Sequence, residues 1–237
     1  DLPGQTLTYS IAGGVDAARF TIDSGTGALS FVTAPDHELP VDVGGDNVYD
    51  VTVQVSDGSL IDTQDIAVTV TPVNDDAPII TSNGGAGTAA VSVTENATSV
   101  TIVTATDDDV PVQTLTYTIS GGADQALFSI NATTGVLSFN VAPNFAAPAD
   151  AGPDNVYDVI VQVSDGSLTD TQAIAVTVSN TNEAPVITSD LGGATATVSA
   201  AENQTAVTTV TSTDVDGGAA VYSIVGGVDS ARFSIDA

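Results

Sequence analysis

Carboxylates are the residues of this chain that could do chemistry, and they gather where Asn and Pro interrupt apolar runs. Val73-Asn74-Asp75-Asp76-Ala77-Pro78 lies between Ile66-Ala67-Val68-Thr69-Val70 and Ile79-Ile80-Thr81, and a shorter version, Thr181-Asn182-Glu183-Ala184-Pro185, recurs later. Three groups of oxygen donors can converge on the first of these linkers. Asp36 and Glu38 follow the strand pattern of Leu29 and Phe31. Asn74, Asp75 and Asp76 are the linker itself, and Asp107-Asp108-Asp109 and the Ser-Asp-Gly acid Asp165 come after it. Any one of these acids suits a turn, where its side chain mimics a backbone acceptor. Together they repel, because at ~4 Å and an effective dielectric near 20 each like-charge pair costs on the order of 4 kcal/mol. The chain has a formal charge of −28, no Lys, and only Arg19 and Arg232 as fixed cations, so a divalent ion is the economical counter-charge. Donors that are all oxygen favour Ca²⁺ over Zn²⁺, and an irregular multi-carboxylate site suits Ca²⁺ better than octahedral Mg²⁺.

The elements that must position these acids are strands. Tyr157, Val159, Val161 and Val163 alternate with Asp158, Gln162 and Ser164, as Tyr49, Val51, Val53 and Val55 do earlier, and a period of two is the mark of a strand with one buried face. Ile174, Val176 and Val178 give another inward row, as do Leu115, Tyr117 and Ile119. Shorter strands carry Phe128 with Ile130 and Leu137 with Phe139 about the Thr134-Gly135 turn. Clusters of Gly, Asp, Asn and Pro separate the runs. About seven strands in ~105 residues predict a Greek-key β-sandwich. A single helical turn is predicted at Asp124 to Leu127, and no long amphipathic helix is present, which excludes α/β and coiled-coil folds.

The pattern repeats. Leu7-Thr8-Tyr9-Ser10-Ile11, Asp46-Asn47-Val48-Tyr49-Asp50-Val51 and Val55-Ser56-Asp57-Gly58-Ser59-Leu60 all return 108 positions later. A third copy begins after Pro185, with Tyr222, Gly226-Gly227 and Phe233 answering Tyr117, Gly121-Gly122 and Phe128. The expected division is 1–76, a repeat lacking its start; 77–183, a complete repeat; and 184–237, a repeat lacking its end. The chain reads as a slice through a longer tandem array.

Composition narrows the function. A surface this acidic repels nucleic acid and anionic membranes. Disorder is excluded by the 42% of apolar residues and their ordered patterning. No apolar run approaches the roughly 18–20 residues that span a bilayer. The absence of Cys, Met and Trp, with abundant Thr, Val, Gly, Ala and Asp, resembles the composition of secreted bacterial β-repeat proteins. His37, the one histidine, sits in a loop where the second repeat has Phe145, so it reads as a solvated loop residue rather than a catalytic base. Paired carboxylates of glycosidase type have no aromatic-lined cleft to serve. Asp107-Asp108-Asp109 lacks the Gly and distant Glu of an EF-hand. The Gly-Gly pairs lack basic partners and read as turns. The sequon matches at Asn96, Asn131 and Asn203 are of the kind that Thr-rich sequence produces by chance. No enzyme is expected.

Six short motifs keep their order over a period of ~107: Glu95-Asn96, an Asp-x-Asp, Thr-Gly-x-Leu, Asp-x-Glu, an Ala/Ser-x-Asp-Gly that reads Val-Ser-Asp-Gly here, and the Asn-Asp-x-Ala-Pro linker. In this the chain resembles cadherin repeats, particularly the cadherin-like repeats of very large bacterial surface adhesins. The resemblance covers the whole chain. It implies immunoglobulin-like sandwiches in an extended array with about three calcium ions at each junction. The first junction would use Asp36, Glu38, Asn74, Asp75, Asp76, Asp107, Asp109 and Asp165. The second would use Glu95, Asn182, Glu183, Asp214 and Asp216, and Asp57 would serve a junction before residue 1. The Asp-x-Glu of the first repeat is Asn144-Phe145-Ala146 in the second, and the second linker is a residue shorter. Fewer or weaker ions are therefore expected there, with Asp150 as a substitute ligand. The implied partners are neighbouring repeats of the same chain, with other copies of the molecule or surface glycans as alternatives. The implied location is extracellular, at a bacterial surface or secreted, and the implied role is an adhesin extender, with a fibre or surface-layer subunit as a further reading.

Overall fold

The computed structural model describes residues 5–236, and its elements are strands and short 3₁₀ turns. The chain divides into two compact units. One holds the chain up to Gly85 with Thr104–Thr118 and Gln162–Thr171; the other holds Ala86–Val103, Ile119–Val161 and Gln172 onward. In the first unit, β1 (Thr8–Gly13), β2 (Phe20–Ile22), β3 (Leu29–Phe31), β4 (Val48–Ser56) and β5 (Ile61–Thr69) come from the first repeat. They form an antiparallel sheet in the order β1-β4-β5 and a β2-β3 hairpin. The alternation decides what is buried: Tyr49 and Val51 are each 1% exposed, while Asp50 between them faces solvent. Phe20 stacks on Phe31 with ring centres 4.6 Å apart, and Phe31 meets Tyr49 edge-on at 5.2 Å. Such ring pairs contribute about 0.5–1.5 kcal/mol beyond the area they bury.

The chain continues through β6 (Ile79–Ile80), β7 (Thr88–Thr94), β8 (Ser99–Ile102), β9 (Ala105–Thr106), β10 (Thr116–Gly121), β11 (Phe128–Ile130), β12 (Val136–Phe139), β13 (Val156–Ser164) and β14 (Thr169–Ser179). These make a four-stranded sheet, β10-β13-β14-β7, and a three-stranded one, β11-β12-β8. β7 runs parallel to β14, with Ala90 opposite Ala175 and Val91 opposite Val176. A parallel pair needs a crossover rather than a hairpin, and here the whole intervening chain supplies it, which is the sandwich topology expected. The aromatic cluster recurs: Phe128 to Phe139 at 4.5 Å and Phe139 to Tyr157 at 5.1 Å. The predicted inward rows are buried, Val159, Val161, Val163, Ile174, Val176 and Val178 being at most 1% exposed. The predicted helical turn is the 3₁₀ turn Gln125–Leu127. In the third copy only β15 (Val186–Ile187) and β16 (Ser212–Thr213) pair among the described residues, because a strand needs a ladder partner.

Two buried acids hold the loops that follow β1 and β10. Asp124, 5% exposed, accepts the N–H of Ala151 at 2.7 Å on one carboxylate oxygen and that of Asp158 at 2.8 Å on the other. Asp16 does the same for Val43 at 2.8 Å and Asp50 at 2.9 Å. Asp124→Ala would leave two backbone donors without an acceptor, a loss of roughly 2–6 kcal/mol at about 1–3 kcal/mol per orphaned buried group. Asp124→Asn keeps one acceptor and should cost about half as much. Chemical denaturation followed through the tyrosine signal orders the two variants.

Candidate metal centre

The first linker has no ladder of its own: Pro72 and Pro78 carry no N–H, and Asn and Asp between them prefer side-chain acceptors to strand pairing. What fixes it is Asp109. This side chain is 0% exposed, and its Oδ1 accepts the N–H of Asp75 at 3.2 Å and of Asp76 at 3.3 Å. Asp109 is set in place by a tight turn after β9, where its own N–H donates to Asp107 Oδ1 at 3.2 Å. Asp165 comes from the β13–β14 hairpin. Its Oδ1 accepts the N–H groups of Ser167 at 2.6 Å and Leu168 at 2.7 Å, and with these the Asn74 side chain helps to hold its carboxyl below the ordinary range. One carboxylate oxygen from each of Asp107, Asp109 and Asp165 lies within 4.8 Å of the others. Asp107 Oδ2, Asp109 Oδ2 and Asp165 Oδ2 are buried without a hydrogen-bond partner, as is Asn74 Oδ1. Buried polar atoms are almost always partnered, so four such oxygens in one place form a site with unspent donor capacity.

Asp36 and Glu38 border the same site. Asp36 Oδ1 accepts the N–H groups of Glu38 and Leu39 at 2.9 and 3.0 Å, and Glu38 Oε1 accepts the N–H of Val110 at 3.2 Å. Partial desolvation and then the charges of Asp109, Asp75, Asp36 and Glu38 push the Asp76 carboxyl above its ordinary range. Burial first, with Asp109 and Asp165 as like charges, pushes Asp107 up as well. The eight residues expected at the first junction therefore share one field, and all lie in the first unit. His37 departs from the expected solvated residue: it is half-buried, with Nδ1 3.3 Å from Glu38 Oε1.

The second set, all in the second unit, is arranged differently. Asp216 repeats the tight turn, its N–H donating to Asp214 Oδ1 at 3.0 Å, and its Oδ2 accepts the N–H of Glu183; Oδ1 is buried without a partner. Glu95 is 4% exposed with both oxygens taken, by Thr181 N–H at 2.7 Å and Phe145 N–H at 2.9 Å. Glu183 Oε1 accepts from Asn96 at 3.4 Å, and the exposed Asn182 side chain donates to the Glu183 carbonyl at 3.3 Å. Asp150, the expected substitute ligand, has both oxygens engaged by backbone N–H groups, as Glu95 does. It is the counterpart of Asp42, and its oxygens close their own loop on Asp154 and Asn155 N–H at 2.9 and 3.3 Å. Asp57 is a turn acid receiving Ser59 and Leu60 N–H, both at 2.8 Å. Asp16, Asp42 and Asp124 escaped the sequence reading. The signal for Asp16 and Asp124 was there in Gly-Gly-x-Asp-x-Ala-x-Phe, which recurs intact at Gly13, Gly121 and Gly226; Asp42 lies outside that motif.

The turn acids set the response to acid. Thr26, Leu60 and Ser167 backbone N–H groups, each the largest influence on its acid, hold Asp23, Asp57 and Asp165 below the ordinary 3.8. Their stabilising contribution is complete above 3.8 and is lost as pH falls through the lower folded values. Asp76 and Asp107 act in the opposite sense: their contribution is present below 3.8 and is lost as pH rises through the raised values. Thermal melts in chelator should therefore fall steeply only below 3.8, and proteolysis at Asn74 to Pro78 should slow on mild acidification above it.

No family model matches the chain. It is 30% identical to human protocadherin Fat 1 over 191 residues, 76% of this chain and 4% of that protein. It is 33% identical to mouse cadherin EGF LAG seven-pass G-type receptor 2 over 182 residues, 74% of this chain and 6% of that protein. The crystal structure of human protocadherin-24 EC1-2 superposes with a TM-score of 0.58 at 21% identity, over 76% of this chain and 85% of that one. The repeats are cadherin-like domains. The cadherin-like chain spans only these small fractions, 4% and 6%, of its two relatives. Cadherin domains are non-enzymatic, which agrees with the reading of this chain as no enzyme. Among the described residues no helix is long and apolar enough to cross a membrane.

Proposed function

We propose that this chain is a calcium-rigidified extender of a long extracellular adhesin, built of cadherin-like repeats at 1–76, 77–183 and 184–237. The observation that carries the reading is the set of buried, unpartnered oxygens on Asn74, Asp107, Asp109 and Asp165. Asp36, Glu38, Asn74, Asp75, Asp76, Asp107, Asp109 and Asp165 would hold Ca²⁺ at the first junction. Glu95, Asn182, Glu183, Asp214 and Asp216 would serve the second. The ion supplies positive charge where carboxylates otherwise repel, and the donor set is oxygen throughout, as a hard cation requires. Binding to the aligned state alone stabilises that state by mass action, so calcium stiffens the linkers. The similarity to cadherins and protocadherins supports an extracellular adhesive setting, and the Cys-, Met- and Trp-free acidic composition supports a bacterial surface. Neighbouring repeats are the first partners of each repeat.

Small-angle scattering tests the proposal. The maximum dimension should be longer in calcium than in chelator, and superimposable profiles would count against it.

A further inference from the structure

We infer that the two linkers form a two-stage calcium response, in which the Asn74–Asp76 junction saturates first and the Asn182–Glu183 junction only at higher calcium, remaining the mobile joint in between. This rests on the calcium reading above and concerns what distinguishes the two sites.

The loop that feeds each linker from below has the same turn in both repeats. Asp36 Oδ1 accepts the N–H of Leu39 at 3.0 Å, and Asn144 Oδ1 accepts that of Ala147 at 2.9 Å. The backbone support is therefore retained in the second repeat, and what has gone is charge: an amide replaces the Asp36 carboxylate, and the Ala146 methyl replaces Glu38. Losing Glu38 also removes a strap, since its Oε1 holds Val110 N–H at 3.2 Å, a bond that Ala146 cannot make. The linker itself offers Glu183 where the first has Asp75 and Asp76, and Glu183 Oε1 already accepts from Asn96. The Glu95 oxygens are both engaged by backbone N–H groups, of Thr181 and Phe145. Four buried oxygens stand without partners at the first junction, on Asn74, Asp107, Asp109 and Asp165; at the second only Asp216 Oδ1 does so among the described residues. Calcium affinity follows the number of charged ligands and the rigidity of the site. The second site is poorer in ligand charge and less firmly strapped.

The test is a Ca²⁺ titration of the full chain with cleavage at each linker followed by limited proteolysis and mass spectrometry. Protection of 70–78 should reach its midpoint at about tenfold lower calcium than protection of 180–185, the scale on which ligand charge tunes such sites. The double variant Asn144→Asp, Ala146→Glu should bring the second midpoint down toward the first. The reciprocal Asp36→Asn, Glu38→Ala should raise the first toward the second. Coincident midpoints in the wild type, or a second midpoint unmoved by the restored carboxylates, would overturn the inference and leave calcium binding intact. No protection of either linker at any calcium concentration would overturn both.

Discussion

Asp109→Asn should change sign with calcium: more stable than the parent in chelator and less stable in calcium. The side chain is fully buried, and its two oxygens do different things. Oδ1 accepts the N–H groups of Asp75 and Asp76, a task the amide oxygen of Asn can take over. Oδ2 has no partner and lies in the group with Asp107 and Asp165. Removing its charge relieves like-charge pairs that would each cost on the order of 4 kcal/mol at ~4 Å and an effective dielectric near 20. Solvent and relaxation take most of that, leaving an expected gain of about 1 kcal/mol in chelator. In calcium the balance reverses. An ion at about 100 times its dissociation constant stabilises the folded state by about 2.7 kcal/mol, and the variant should forfeit most of it. Differential melting with and without chelator reads both signs. A variant less stable than the parent under both conditions would make Asp109 a hydrogen-bonding strut and nothing more.

Gly122→Ala should cost about 3–5 kcal/mol, while Gly227→Ala at the equivalent turn of the third copy should cost about 1–2 kcal/mol. Both glycines adopt left-handed backbone, with φ of +104° and +109°, so both substitutions bear the conformational penalty. Only at Gly122 would the new Cβ also meet backbone, 2.4 Å from the Asp158 carbonyl oxygen and 2.5 Å from Val159 Cα; at Gly227 nothing lies within 4 Å. The approach at Gly122 is fixed from both sides, because the Asp158 carbonyl accepts Asp124 N–H at 3.0 Å and Asp124 grips Asp158 N–H in return. A Cβ there would unseat the buried carboxylate too. Near-ultraviolet dichroism of Tyr157, which sits in the same core, gives the loss; equal costs at the two glycines would remove the steric part of the argument.

The alternation of Tyr157, Val159, Val161 and Val163 was enough to place the core, because a strand buried on one side has to carry its apolar residues at every second position. The Asp107, Asp109, Asn74 and Asp165 set was legible for a similar reason: so many acids near one linker have few structural uses. Other features were not legible. Asp150 and Asp107 are both acids in loops, and local sequence does not separate an oxygen that closes its own loop from one left without a partner. The Gly121-Gly122 pair read as a turn, whereas the demand on Gly122 comes from a strand more than thirty residues away. His37, expected in solvent, is half-buried beside Glu38.

The amino-acid order alone determined an all-β repeat protein, its period, and the linkers at which acids collect, since these follow from hydrophobic spacing and from the residues that cannot join a ladder. The assignment of individual carboxylates needed the folded chain. Whether an oxygen is spent on an N–H or stays free depends on which backbone donors the fold brings within about 3 Å of it, and those donors come from distant segments, as Thr181 and Phe145 do for Glu95.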